Sequence, residues 1–178
     1  LCPPEGDAGT GMVATNSVRV KTGNVSAGTS IFSMIVLDKL LSKVYEEIDM
    51  VTTPTGKPVA MVHCNNCCTD LDYWVNLFIE FSRLSGNELT KPQIYDMLYN
   101  TALDGDKDCG GIVTFNYFSG EPVAKLISGR PLLTRTENAE FNLANFMRAQ
   151  IFSTMAVLKI GMEILEIEKV EIDTLMGH

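Results

Sequence analysis

Residues 5–11 read EGDAGTG and bring three glycines and two carboxylates together within seven positions. Asp7 is placed to cap a short helix that we predict to run to about Ser17. Each glycine inside a helix costs about 1 kcal/mol relative to alanine, so something other than helix propensity favours small residues here. Two explanations remain open: close packing of the helix on a neighbouring strand, or a ligand lying against the backbone N–H groups of the helix N-terminus.

A second glycine-containing turn, Gly28-Thr29-Ser30, follows about twenty residues downstream, between two predicted strands. It offers backbone N–H groups and two hydroxyls, and it could face the first turn. An acid at a helix start is ordinarily structural, but phosphoryl transfer also needs a carboxylate that orients an attacking hydroxyl, and Asp7 could serve. A Walker phosphate loop is excluded because the sequence G-x-x-x-x-G-K-[ST] does not occur.

The rest of the chain mixes strand and helix signals. Gly23 is predicted to mark a turn, and residues 30–37 form a strand that is apolar on both faces. The next predicted elements are a hairpin of residues 48–53 and 58–63 and two helices, one from Thr69 to Gly86 and one from Thr90 to Leu103. Thr69 with Asp72, and Thr90 with Gln93, have the spacing of helix-capping pairs. A strand at 112–115, a loop that carries Gly129 and Pro131, a long helix from Asn142 and a last strand at 170–175 complete the chain. This order predicts an α/β fold in which helices pack on a mixed sheet, within a single domain of residues 1–178.

The composition restricts the class of protein. A net charge of −8 argues against nucleic acid as a partner, and no apolar stretch is long enough to span a membrane. Five cysteines, an odd number, do not suggest a secreted disulfide framework, so we expect reduced thiols and a cytoplasmic protein. The run HCNNCC at residues 63–68 has ligand-like spacing for zinc, but the second half of a site is missing, and buried thiols are the preferred interpretation.

Several motifs occur in an order that resembles one known family. GDAGTGMVA at residues 6–14 is followed by SAGTSIF at 26–32, by Trp74 in a helix, by YFSGE at 117–121 and by FNLANFMRA at 141–149. This arrangement resembles the C-terminal domain of the FGGY carbohydrate kinases, whose pattern is Gly-Asp with small residues and then Gly-Thr-Ser. The resemblance extends over essentially the whole chain.

The resemblance implies an actin-like, ribonuclease-H-like ATPase lobe, in which ATP binds between two domains and a sugar hydroxyl attacks the γ-phosphate. Asp7 matches the catalytic base of the family. Gly28, Thr29 and Ser30 match the turn that contacts the ATP phosphates, and Thr69 falls near a further nucleotide contact. ATP and Mg²⁺ are the implied cofactors, and no metal ligand is assigned to this chain.

The resemblance also implies that the chain is part of a larger kinase. The substrate-binding N-terminal domain is absent, and the chain stops at Gly177-His178, where a glycine-rich adenosine-binding segment is expected, so we expect the lobe to be incomplete at its C-terminus and inactive alone. Phe152 stands where the family often has a glutamate in the long helix. A pentulose such as xylulose is the expected sugar, and a homodimer is one option for assembly. The alternative function is a noncatalytic actin-like module for nucleotide binding or interaction.

Overall fold

The computed structural model of the chain describes residues 6–178. Four helices and seven strands follow one another in the order α1, β1–β4, α2, α3, β5, β6, α4, β7. Their bounds are α1 Asp7–Ala14, β1 Thr22–Ala27, β2 Ile31–Val36, β3 Asp49–Thr52, β4 Pro58–Cys64, α2 Cys68–Leu84, α3 Lys91–Leu103, β5 Ile112–Phe115, β6 Leu132–Arg135, α4 Leu143–Ile167 and β7 Thr174–Gly177.

Five strands form one mixed sheet in the order β3-β4-β2-β1-β7. The pairs β3–β4, β4–β2 and β2–β1 are antiparallel, whereas β1 and β7 run parallel with Thr22 opposite Thr174. A parallel pair needs a crossover connection, and everything from β2 to α4 lies between these two strands in the chain. The last strand, β7, therefore forms the edge of the sheet next to β1, on the side where α1 packs.

The central strand β2 is buried on both faces because each face packs against a different helix. Ile31 and Ile35 belong to a core that includes Val157 and Leu158 of α4. Met34 and Val36 belong to a second core with Met12 of α1. Because side chains alternate along a strand, this continuous apolar run serves two helix layers, as predicted for residues 30–37.

A third core joins the remaining helices and the two-stranded sheet of β5 and β6. Val75 of α2, Ile94 of α3, Ile112 of β5 and Met147 of α4 are buried together there. The long helix α4 thus contacts the main sheet with its later turns and the α2–α3 pair with its earlier ones. Among residues 6–178, none of the helices is both long enough and apolar enough to cross a membrane.

Local sequence signals located several element boundaries correctly. The strands at residues 30–37, 48–53 and 58–63 and the strand at 112–115 are present, so about four strands precede the first long helix, as predicted. Thr90 begins α3 through a capping box, with its N–H donating to the Gln93 side chain (2.9 Å). Asn142 begins α4, and its side chain accepts from the N–H of Asn145.

Other predicted boundaries are wrong, each for a tertiary reason. Gly23 is not in a turn but inside β1, where a Cβ would lie 2.6 Å from the carbonyl oxygen of Met34. The last strand begins at Thr174 instead of residue 170, because Val170 and Ile172 pack on the α4 core before pairing with β1 starts.

Two further differences concern loops. The segment of β6, Leu132–Arg135, was expected to be part of a loop that carries Gly129 and Pro131, but it pairs with β5. The helix α2 begins at Cys68 after Cys67, so Thr69 is not its cap. For β6 a partner in β5, and not a local signal, decides the conformation.

Candidate functional site

Asp7 lies at the N-terminus of α1, but it is not the N-cap residue that the sequence predicted. Gly6 occupies the N-cap position, and Asp7 is the first helical residue. The Asp7 side chain is exposed, and its Oδ1 accepts a hydrogen bond from the N–H of Ala8 (2.9 Å). The helix ends at Ala14 and not at Ser17. The carboxyl group therefore stands at the accessible start of a helix.

The glycine at the other end of this motif, Gly11, is explained by packing. A Cβ at Gly11 would lie 2.5 Å from His178 Nε2 and 3.5 Å from Asn24 Nδ2. Asn24 is fully buried in β1, and its Nδ2 lies 3.2 Å from His178 Nε2. Gly11 thus allows α1 to approach β1 and the end of β7, so the close-packing explanation holds at this position.

The turn of Gly28, Thr29 and Ser30 connects the antiparallel strands β1 and β2. Ala27 pairs with Ile31, and the N–H of Gly28 donates to the carbonyl oxygen of Ser30 (2.8 Å). Gly28 and Thr29 are exposed, and Ser30 is half-buried. The tight turn therefore projects from the end of the sheet towards solvent.

Packing among residues 6–178 does not require a glycine at position 28. A Cβ at Gly28 would meet a single neighbour, the carbonyl oxygen of Ser30 at the ordinary contact distance of 3.8 Å. Within residues 6–178, the Thr29 N–H and the hydroxyls of Thr29 and Ser30 make no hydrogen bond. These groups are free to bind oxygen atoms of a ligand, and the absence of a side chain at Gly28 leaves room for close approach.

The start of α2 lies directly against this turn. The N–H of Cys68, which begins the helix, donates to the carbonyl oxygen of Gly28 (3.0 Å). Thr69 is the second residue of α2 and is half-buried. The structure therefore places Thr69 next to Cys68, which binds the predicted phosphate turn, and a nucleotide contact of Thr69 stays a prediction.

A buried acid, Asp70, follows Thr69 and was not singled out from the sequence. Its side chain is only 5% exposed, and burial raises the pKa of its carboxyl group to about 6. Desolvation disfavours the charged form, so this group changes charge near physiological pH. The sequence did not indicate that Asp70 is buried, because an acid in the first turn of a helix is usually solvated and interacts favourably with the helix dipole.

Two other residues behind the turn were also not assigned a role. Asn66, which is 4% exposed, and the fully buried Glu121 are hydrogen-bonded to each other through Asn66 Nδ2 and Glu121 Oε2 (3.1 Å). Glu121 belongs to the YFSGE stretch that supports the resemblance, so the sequence showed that it is part of a motif. The sequence did not show its contact with Asn66, which lies more than fifty positions away.

The cysteine cluster has no metal-binding geometry. Burial raises the pKa of Cys64 and of Cys67 to about 12, so both thiols stay protonated at neutral pH and are poor ligands and nucleophiles. Over residues 6–178, no three His, Cys, Asp or Glu side chains come together in a way that could hold a metal ion. The burial of Cys64 and Cys67 agrees with the preferred interpretation of residues 63–68 as buried thiols.

The comparisons with known proteins identify the class. Residues 23–178 match the model of the FGGY family of carbohydrate kinases, C-terminal domain. The chain belongs to this family. The matched residues include the Gly28 turn and Thr69, whereas Asp7 lies before them. A comparison with curated proteins found no match.

Solved structures of carbohydrate kinases share the fold. A xylulose kinase from Bifidobacterium adolescentis superposes with a TM-score of 0.72 at 17% identity, over 98% of this chain and 32% of that one. A xylulose kinase from Rhodospirillum rubrum gives 0.76 at 12% identity, over 96% and 32%. Plasmodium falciparum glycerol kinase with ADP gives 0.67 at 12% identity, over 97% and 34%.

These similarities confirm the predicted actin-like, ribonuclease-H-like α/β lobe with a mixed sheet and packed helices. At such low identities they establish the fold and not the substrate. The chain spans about a third of the length of the kinases it matches. The activity of a whole protein is therefore a matter of proposal.

Proposed function

We propose that the full-length protein transfers the γ-phosphate of ATP to a hydroxyl of a sugar. The observation that carries the proposal is the exposed Gly28-Thr29-Ser30 turn, whose Thr29 N–H and hydroxyl groups have no partner within residues 6–178. Unpaired N–H and O–H donors in a rigid turn are suited to phosphate oxygens. Membership of a carbohydrate kinase family makes an ATP phosphate the fitting ligand.

Asp7 is the residue that we assign to the sugar. Its Oδ1 is held by the Ala8 N–H, which fixes the orientation of the carboxyl group at the start of α1. The second oxygen then accepts the hydrogen bond of the attacking hydroxyl and takes its proton late in the transfer. Since phosphoryl transfer has a loose transition state, orientation contributes more than strong basicity.

The turn provides the complementary half of the reaction. As the bond to the γ-phosphate breaks, negative charge moves towards the leaving phosphate oxygens, and preorganised N–H and O–H donors stabilise it. Thr29 and Ser30 supply these donors, and Gly28, whose own N–H is bound to Ser30, leaves room for the phosphate to approach. We assign Thr69 to a further contact with the nucleotide. The twofold role of positioning and charge stabilisation needs no covalent intermediate on this chain.

Mg²⁺ is the ion that we expect with ATP, because it would offset the charge of the nucleotide in a protein that is itself acidic. Within residues 6–178 no cluster of acids forms a dedicated metal cage. An Mg²⁺ ion that arrives with ATP is held mainly by phosphate oxygens and water, and we assign no residue of this chain to it. A pentulose is the proposed sugar class, following the xylulose kinases among the structural neighbours.

Replacing Asp7 with asparagine in the full-length protein tests the mechanism. We expect Asp7→Asn to reduce ATP-dependent sugar phosphorylation by about a hundredfold or more, since the group that orients the hydroxyl and takes its proton is lost. Binding of Mg-ADP should change by less than about threefold, because the phosphate turn is untouched. A panel of pentuloses, gluconate and glycerol, assayed with the wild-type protein, identifies the acceptor.

The matched control is Asp104→Asn, which removes an exposed carboxyl group at the end of α3, and it should leave activity unchanged. Normal turnover by Asp7→Asn would refute the role of Asp7. If the wild-type protein binds ATP or hydrolyses it slowly and no sugar stimulates it, the alternative function as a noncatalytic actin-like module is the correct one.

A further inference from the structure

The peptide group between Gly28 and Thr29 is oriented from behind by α2. The carbonyl oxygen of Gly28 accepts from the Cys68 N–H at 3.0 Å. Because a trans peptide group is planar, the Thr29 N–H points in the direction opposite to that carbonyl oxygen. This N–H, which has no partner within residues 6–178, therefore points away from the start of α2. Whatever fixes Cys68 also fixes the direction of this phosphate donor.

The start of α2 is not held by an ordinary helix cap. Cys67 occupies the N-cap position with φ −146° and ψ −110°, and its side chain makes no capping hydrogen bond. A helix start without a side-chain cap loses about 1 kcal/mol relative to a good cap. The position of the first turn must therefore come from other contacts, and the residues immediately before it, Asn65 and Asn66, provide them.

The side chain of Asn66 connects this segment to residues 119–121, because both its amide nitrogen and its amide oxygen form hydrogen bonds there. Its Nδ2 donates to the carbonyl oxygen of Gly120 (2.6 Å) and to Glu121 Oε2 (3.1 Å). Its Oδ1 accepts from the N–H of Ser119 (2.8 Å). A buried amide with these partners allows one orientation only, so Asn66 fixes the distance between the two segments.

Glu121 completes the contact from the opposite side. Its Oε2 also accepts from the backbone N–H of Asn65 (3.0 Å). The residue is fully buried, and its Oε1 has no partner among the described residues. Burying a carboxyl group with one unsatisfied oxygen costs free energy. The buried Glu121 therefore contributes little to stability, and its presence is better explained by the position in which it holds Asn65 and Asn66.

The geometry points to Asn66 and Glu121 as positioning residues for the phosphate turn: they hold residues 65–68 against Gly28 and thereby aim the Thr29 N–H at the nucleotide. This inference rests on the proposed function, since the proposed ligand of the turn is ATP. It adds two residues that do not touch the nucleotide but determine how tightly it is bound. Their loss should affect ATP and leave the sugar site unchanged.

The first test is Asn66→Asp in the full-length protein. The substitution keeps the shape of the side chain but replaces the NH₂ donor by an oxygen that faces two acceptors, Gly120 O and Glu121 Oε2. We expect the KM for Mg-ATP to rise about tenfold and the KM for the sugar to stay within about twofold. Amide hydrogen exchange at Gly28 and Cys68, whose N–H groups are hydrogen-bonded here, should become faster without nucleotide because the contact between the turn and α2 loses its support.

The second test is the pair Glu121→Gln and Glu121→Ala, which remains informative if Asn66→Asp fails to fold. Glutamine keeps an acceptor for the Asn65 and Asn66 donors and should retain a nearly normal KM for Mg-ATP, whereas alanine should raise it. The matched control is Glu168→Ala. That variant removes an acid that binds Ser42 and Tyr45 in another part of the molecule and should not change the KM for Mg-ATP.

The outcomes separate this inference from the proposed function. Unchanged exchange at Gly28 and Cys68 in Asn66→Asp, or equal increases in the KM for ATP and for the sugar, would overturn the positioning role. A similar rise in the KM for ATP in Glu168→Ala would also overturn it, because general destabilisation would then suffice. If the wild-type protein phosphorylates no sugar, the proposed function fails, and exchange together with Mg-ADP binding decides the inference alone.

Discussion

Replacing Asp70 with asparagine is expected to stabilise the 178-residue chain at neutral pH and not in acid. The Asp70 carboxyl group is 5% exposed, and burial raises its pKa from the ordinary value of 3.8 to about 6. Asparagine has nearly the same shape and carries no charge. The variant therefore removes the cost of holding a buried carboxylate ionised, which arises from lost hydration.

The magnitude follows from proton binding. Between pH 4 and pH 6 the folded chain keeps a proton on Asp70 that the unfolded chain has released, so the free energy of unfolding falls as the pH rises. A pKa rise from 3.8 to about 6 corresponds to about 3 kcal/mol once both states are ionised. The stability difference between Asp70→Asn and wild type should therefore grow by up to about 3 kcal/mol from pH 4 to pH 7.5.

Urea unfolding at a series of pH values, followed by tryptophan fluorescence, measures this difference. Trp74 is the only tryptophan of the chain and lies one turn further along α2, so its emission reports on the helix that carries Asp70. Asp96→Asn, an exposed acid on α3, is the control and should stay within about 0.5 kcal/mol of wild type. A stability difference that does not change with pH, or an Asp70→Asn protein that is less stable at pH 7.5, would refute the reasoning.

Two further substitutions test the packing and the capping of the helices. Gly161→Ala would place a Cβ 2.2 Å from a Val62 methyl carbon where α4 crosses β4, and we expect a loss of about 1–3 kcal/mol in urea unfolding; an unchanged midpoint would mean that the helix can shift without cost. Gln93→Ala removes the side-chain acceptor for the Thr90 N–H at the start of α3 and should cost about 1 kcal/mol. Circular dichroism at increasing temperature detects that loss, and a variant as stable as wild type would show that the capping box contributes little.

Local sequence signals were sufficient where the deciding contacts are also local. The apolar run at residues 30–37 predicted a strand with both faces covered, and the spacing of Thr90 and Gln93 predicted a capped helix start. They failed where the deciding partner is distant. The β6 strand exists because it pairs with β5, and the last strand is shifted because Val170 packs on the core.

The candidate site shows the same division. The motif around Gly28, Thr29 and Ser30 was recognisable from residue order, and its match to the family made a phosphate turn the natural expectation. Its roles and those of Asp7 and Thr69 stay predictions. The supporting residues could not be found in this way, because Asn66 and Glu121 lie 55 positions apart and meet only in the folded chain.

The sequence by itself determined the family, the α/β class and the position of the two glycine-containing motifs, because all three depend on residue types in a fixed order. Only the tertiary structure distinguished the surroundings of Gly11 from those of Gly28. A Cβ at Gly11 would lie 2.5 Å from Nε2 of His178, which is far away in the chain, whereas a Cβ at Gly28 would have one ordinary contact among residues 6–178. Residue order cannot distinguish these cases, since a Cβ clash depends on which distant atoms the fold brings close.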